Sequence, residues 1–358
     1  MSYAWRHEIE INSGQMPGTE TDFTVLISET HASLKTVANG GKVESANGWD
    51  IAFYSDSALT TQLKHEIESY NAATGAVIYQ VKVPSCAVGT VIYRAFGDSG
   101  ISTSQADPEN TWNSAYKLVH HYPDGTTVTY LDSTANNRDG TGVNTPSAGT
   151  GKINGGLSLA SASSEYVTVP NETFAFNSSF TISAWINPAD LSVSRNWIGK
   201  NDHIADLNSP TTDCLLSSVS TAGNVRFLLR GGSGTIFDLN TTTTPITAGS
   251  LQYLVLRYDT SLGSANAAVI VNAVSKGTAN ATATANLDDN AIYIGAFKFI
   301  APSGYWNGII DELRISSVAR SDNWITSEYN NQSSPSSFYS VGADVAVGGV
   351  WVPWVSVY

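Results

Sequence analysis

The sequence predicts an all-β protein built as two antiparallel β-sandwich domains. Apolar and polar residues alternate with a period of two over short runs. Examples are Ala76-Val77-Ile78-Tyr79-Gln80-Val81-Lys82-Val83 and Phe180-Thr181-Ile182-Ser183-Ala184-Trp185-Ile186, the pattern of strands rather than helices. Clusters of Gly, Asn, Asp and Pro separate these runs, as tight turns require. The chain has 358 residues, too many for one ordinary core, so two domains are expected.

Composition narrows the function classes. Charged residues make up 14% of the chain and hydrophobic residues 42%, so Ser, Thr, Asn and Gly must supply the polar surface. Lys plus Arg number 18 against 31 acids, a net charge of −13. A nucleic-acid binder needs a basic patch to displace counterions, so nucleic acid is excluded as a partner. Docking on anionic headgroups is disfavoured for the same reason. No apolar run is long enough to span a bilayer, so no membrane insertion is expected. The first residues carry no apolar signal segment, which points to a chain made and folded in a cytoplasm. Cys86 and Cys214 lie far apart with no metal-type spacing around them, and two reduced, buried thiols are expected.

In chain order, further strands are expected at Glu8-Ile9-Glu10-Ile11, Asp22 to Ile27, Tyr166-Val167-Thr168-Val169, Tyr253 to Tyr258 and Ala291 to Ile294. The order lacks the βαβ rhythm of parallel sheets and reads as sandwiches. Two short helices are expected, near Leu59–Leu63 and over Ser321–Tyr329, the latter with Ser321 as N-cap. A turn-rich stretch from Gly97 to Asn110 marks one boundary, and the Gln332–Ser337 run reads as a linker. The expected organisation is an N-terminal β-sandwich over 1–105, a second sandwich over 106–332, and a linker with an apolar tail over 333–358.

Four segments in order carry a family resemblance. They are Asp132-Ser133-Thr134-Ala135-Asn136-Asn137-Arg138-Asp139-Gly140-Thr141, Gly155-Gly156-Leu157-Ser158-Leu159, the Phe180–Pro188 strand, and Trp306-Asn307-Gly308-Ile309-Ile310-Asp311-Glu312-Leu313-Arg314-Ile315. With these, residues 113 to about 330 resemble the laminin-G-like, concanavalin A-type jelly-roll family. Residues 4 to about 100 resemble a β domain of unknown function often found ahead of such jelly rolls, through Trp5-Arg6, Trp49-Asp50-Ile51-Ala52-Phe53 and Val81-Lys82-Val83-Pro84. The first resemblance implies a fold, not an activity, because the fold hosts many functions.

The same resemblance implies a structural calcium ion where the early loop meets the late strand. The candidate ligands are Asp132, Asn136, Asp139 and Asp311. Polar loops supply the oxygens that hard cations need, and a carboxylate among apolar neighbours, as at Asp311, wants a partner. Ala135 and Asn137 replace two glycines of the family loop. Asn tolerates a left-handed backbone and Ala does not, so the loop is expected to bend differently. The competing reading is that these groups bind loop amides. Trp197, Tyr305 and Trp306 are the candidate sugar platforms, with packing between sheets as the alternative; Trp185 is expected in the core. Glu66 and Glu68 read as solvated strand-face charge rather than a glycosidase pair. His120 and His121 face opposite ways and cannot chelate together. Gly231 to Gly234 reads as a hairpin turn. The tail carries Trp351, Trp354 and Tyr358, either as a strand that docks on a neighbouring subunit or as one laid back on its own domain.

A module that works outside cells, on a chain without a visible export signal or disulfide framework, points to a virus particle. The expected function is a non-enzymatic virion structural or adhesion protein of a bacteriophage, made in the host cytoplasm. Its expected partners are other virion subunits or copies of itself through the tail, and cell-surface glycans. The alternatives are a secreted bacterial carbohydrate-binding adhesin, which would be extracellular, and a glycoside hydrolase or lyase.

Overall fold

The structure, a computed structural model, describes residues 2–348 apart from 124–126, 171–175, 177, 202–213, 232–233, 284–286, 288–290 and 299–300. Strands dominate, and two compact units are formed. The first takes Met1–Thr111 together with Ser334–Tyr358, and the second takes Trp112–Ser333. The segment read from sequence as a separate tail therefore groups with the first unit.

The first unit is organised around the strand Trp5–Ile11. His7, Ile9 and Ile11 are buried while Glu8 and Glu10 are exposed, the alternation of a sheet wet on one face. One edge of this strand pairs with Val91–Phe96, in register Ile9 with Ile92. The other edge pairs with Tyr339–Val341 and Val345–Ala346. A second, three-stranded sheet takes Glu20–Thr30, Ala76–Cys86 and His65–Asn71. Phe53, Tyr79 and His65 pack edge to face in the core, with Phe53 centred 5.2 Å from Tyr79 and 5.3 Å from His65. Phe338 is fully buried and stacks on Phe23. The Tyr339 hydroxyl donates to the Ser28 carbonyl and accepts from the Ser28 amide. The described part of the C-terminal segment is thus laid back on its own chain. Trp351, Trp354 and Tyr358 lie outside the described residues.

The helix expected at Leu59–Leu63 is not formed. The Asp56 carboxylate accepts the Thr60 and Thr61 amides, a local bond that competes with helix. Leu59 sits at φ +58°, and Gln62–Leu63 forms a strand against Phe53 and Tyr54. A bulge between Ile67 and Ser69 interrupts the alternation expected to put Glu66 and Glu68 on one face. Cys86 and Cys214 are buried free thiols, and burial pushes Cys86 up to about 12.

The second unit is a sandwich of an eight-stranded and a seven-stranded antiparallel sheet. Ile182, Ala184 and Ile186 of the central strand Phe180–Pro188 join Leu254, Leu256 and Ile315 in the core between the sheets. Trp185 points the other way, as strand alternation demands. It packs with Tyr253, Val255 and Ile325 beneath the helix Asp322–Ser333. Ser321 caps that helix, its hydroxyl accepting the Trp324 amide at 3.0 Å. Both faces of the large sheet are therefore covered. Across its helix-covered face, Arg314 donates to Glu312 and to Glu328 at 2.5 Å each, and Tyr253 donates to Glu328. All four side chains are buried.

Candidate functional site

The outer face of the seven-stranded sheet carries the aromatic and polar groups that the helix denies to the other sheet. Pairing register defines one row across it: Thr168, Tyr293, Gly199, Leu216, Leu228 and Asp238. Directly paired residues share a face, so the row mixes an aromatic end with a polar end. At the aromatic end, Tyr166 belongs to a strand whose valines, Val167 and Val169, enter the core. Period-two geometry then turns Tyr166 outward. Its ring stacks on Tyr305 with centroids 6.0 Å apart and lies 5.9 Å from Tyr293. Tyr166 and Tyr305 are half-buried, and Tyr293 is buried. The Tyr305 hydroxyl donates to the Pro302 carbonyl at 2.7 Å. The Lys298 ammonium sits 5.9 Å from the Tyr293 ring centre, within reach of a cation–π contact. Burial raises the Tyr166 hydroxyl above the usual phenol range, with Tyr293 and Tyr305 adding to it. The Tyr166 ring stays neutral at physiological pH.

Gly199 makes room for this end. A Cβ there would lie 2.6 Å from the Phe297 ring, so a larger residue would push Phe297 off the sheet. At the polar end, Arg226 clasps Asp238 through two bonds of 2.8 and 2.7 Å. Asn240 donates to the same carboxylate at 3.2 Å. Ser218 and Asn196 continue the neighbouring row from Arg226. Between the two ends Leu216 and Leu228 are buried in a cluster with Cys214 and Phe297, so the tyrosine platform and the strip of fixed donors and acceptors stand apart on this face.

Two expected platforms are not on the surface. Trp197 and Trp306 are both fully buried in the sandwich core. Trp197 sits on a strand, not a loop, and its indole donates to the Ser217 hydroxyl at 2.7 Å. Rings this large, in a chain with so few charges, are what the two sheets need to fill the space between them. Tyr305 alone of the three is placed to meet a ligand. Tyr166 and Tyr293 were legible as site residues through their alternation with Val167, Ile292 and Ile294, which assigns them to the outer face.

The residues expected to hold calcium do not fit it. The Asp132 carboxylate accepts four bonds: from the Val119, Thr134 and Arg138 amides and from the Thr134 hydroxyl, at 2.9–3.0 Å. A carboxylate offers about four acceptor sites, so its capacity is spent within the loop. Asp139 accepts the Asp132 amide at 2.8 Å. The Asn136 amide group is assigned as a donor, to the Tyr116 carbonyl and the Thr134 hydroxyl. Asp311 is buried and accepts the Lys152, Ile153 and Glu312 amides at 2.7–3.0 Å. Asn137 takes φ +51° and Ala135 is absent from the left-handed residues, as their side chains favour. His120 and His121 are both buried with separate partners. His120 lies against the Tyr122 hydroxyl and the Arg138 carbonyl, and His121 against Glu312.

In the first unit, His7, His31 and Asp344 bring their polar atoms within 4.8 Å of one another. Arg94 Nη2 lies 2.6 Å from His7 Nδ1. A guanidinium can only donate, so Nδ1 is the bare nitrogen and Nε2 carries the proton that goes to Asp344. A metal would need the lone pair that this proton occupies. His7 and Asp344 are thus joined by a hydrogen bond, with the His31 ring packed beside His7.

Residues 161–326 match the family model described as the concanavalin A-like lectin/glucanases superfamily. Among solved structures, the chain is similar to domain 4 of AbnA, an extracellular arabinanase of Geobacillus stearothermophilus solved with arabinotriose. Identity there is 20% and the TM-score 0.45, over 61% of this chain and 100% of that one. It is similar to the binding domain of Paraclostridial Mosquitocidal Protein 1 at 15% identity and a TM-score of 0.46, over 62% of this chain and 52% of that one. It is also similar to the CBM40 of a Ruminococcus gnavus sialidase bound to sialyllactose, at 13% identity and a TM-score of 0.37, over 42% and 82% of the two chains. The match thus spans about half the length of the toxin binding domain. A comparison with curated proteins finds no match.

Proposed function

We propose that the protein is a non-enzymatic carbohydrate-binding protein that takes glycans on the outer face of the seven-stranded sheet. The observation that carries this is the half-buried Tyr166–Tyr305 stack beside Tyr293, set in a sheet row that ends at Asp238. Sugars lay their C–H faces on aromatic rings and send hydroxyls to fixed polar groups, and this face offers both. The Arg226–Asp238 clasp suits recognition, since its two bonds fix both groups in place. A glycan array followed by calorimetry on the best ligand tests the proposal. The double variant Tyr166→Ala/Tyr305→Ala is expected to weaken binding by about tenfold or more, ~1.4 kcal/mol, with its melting transition retained. Equal affinity in that variant would sink the proposal.

The finer part of the proposal places this binding on a virus particle, that of a bacteriophage, as an attachment component. The low charge and the Ser-, Thr-, Asn- and Gly-rich β surface support it. Mass spectrometry of purified particles is expected to find the chain; recovery only as a soluble monomer from lysate would refute it.

A further inference from the structure

We propose that the first unit carries a second ligand site, a pocket on the outer face of its six-stranded sheet that takes an uncharged sugar residue. Pairing register places it. Tyr54 lies opposite Tyr93 on one neighbouring strand and Gln62 on the other. Period-two geometry turns Tyr54 away from its neighbour Phe53, which packs on Tyr79 in the core. On the outer face Tyr54 joins a small cluster with Tyr3, Ala52 and Ala95, and Leu59 packs against it. The pocket opens beside this cluster with a volume of about 430 Å³, within the range of small-ligand sites. Tyr3 and Tyr54 meet there edge to face, with centroids 5.9 Å apart, and their hydroxyls are bonded to each other. The stretch from Ala58 to Gln62 forms one wall, and Ser2 and Val347 complete the lining.

The first support is the shape of that wall. Leu59 sits at φ +58°, a backbone that leucine rarely adopts. The turn around it is fixed, because the Asp56 carboxylate accepts the Thr60 and Thr61 amides at 3.1 and 2.8 Å. Those amides hold the carboxyl below its usual range. Glycine or asparagine would serve a turn alone. Leucine instead keeps an apolar side chain between the Tyr54 cluster and the pocket. Strain of this kind collects where a loop is shaped for a ligand. The second support is the chemistry of the lining. The chain has a net charge of −13, yet among the described residues none that lines this pocket is charged. The lining offers the hydroxyls of Ser2, Tyr3 and Tyr54 and the amide of Gln62, beside the apolar edges of Leu59 and Val347. Burial raises both phenols above their usual range, so they act as neutral groups. Neutral donors and acceptors next to apolar edges complement a neutral saccharide, whose hydroxyls and C–H faces alternate. A charged ligand would lose its hydration there with no counter-charge in return.

Amide chemical shifts of the full chain test the site, titrated with glucose, galactose, mannose and N-acetylglucosamine, and with glucuronate as the charged control. At least one neutral sugar is expected to move the Tyr3, Leu59 and Gln62 amides to saturation, and glucuronate to leave them in place. Gln62→Ala, at an exposed side chain, should weaken that binding about tenfold. Ala58→Trp, at the exposed rim, should abolish it by filling the pocket, with the melting midpoint retained in both variants. The double variant Tyr166→Ala/Tyr305→Ala should leave these shifts unchanged, which separates this site from the platform in the second unit. No saturating shift with any of the neutral sugars, or an equal response to glucuronate, would overturn the proposal. So would binding that appears only once residues 349–358 are removed, since the C-terminal segment would then be the occupant.

Discussion

Each unit is closed by a buried arginine, and the two closures differ in kind. In the second unit Arg314 lies between two carboxylates, Glu312 and Glu328, and over the Trp112 ring. Both acids are buried. Burial alone would raise the Glu312 carboxyl, but His121 and Arg314 outweigh it and hold it low. In the first unit Arg94 lies between one carboxylate, Glu29, and one imidazole, His7. The first unit thus sets an imidazole, a group whose ordinary titration lies near neutral pH, where the second unit has a carboxylate. The sealed version fastens a helix to a sheet, and the other reaches the C-terminal strand through the His7–Asp344 bond.

The sharpest way to break this comparison is to remove the sealed clasp. Arg314→Ala leaves two buried acids without their cation, and is expected to cost the second unit about 3–5 kcal/mol, read as a shifted denaturant midpoint of its transition. A smaller effect separates the units by pH. His7 and His65, both fully buried in the first unit, are lowered by burial to about 4 from 6.5. The unfolded chain takes up these protons first, so their contribution is complete above 6.5 and is lost as pH falls toward 4. The first unit is expected to lose on the order of a few kcal/mol over this window, as a falling thermal midpoint between pH 7 and pH 4.5. A flat profile would contradict the assigned burial. Ser321→Ala removes the cap of the clasped helix and should cost ~1 kcal/mol, by the same denaturant measurement. Smallest of all, EDTA is expected to leave the midpoint of the second unit where it was, because the Asp132 carboxylate is saturated by its own loop. A drop that calcium reverses would reopen that loop as a cation site.

The fold was legible because its signals are local. Period-two patterning in Phe180–Pro188 and Tyr166–Val169 assigns strands and faces together, and Ser321 marks its helix by cap chemistry. Leu59–Leu63 misled because one carboxylate, Asp56, redirected the backbone. The site was legible only in part. Tyr305 and the outward tyrosines follow from alternation and loop position, whereas Trp197 and Trp306 were drawn into the core by packing that no short window records. The pairing of Trp5 with Ala346 depends on contacts between opposite ends of the chain. Neither segment carries a mark of the other.

That pairing also sets how the molecule would bear a load. Tension applied at Ala4 and Val347 would enter an antiparallel pair from the same end, where Val347 donates to the Ala4 carbonyl. It would open that seam one bond at a time, and the chain between, with the whole inserted sandwich, would stay slack until the bonds from His7, Ser33 and Lys42 to Asp344 had broken.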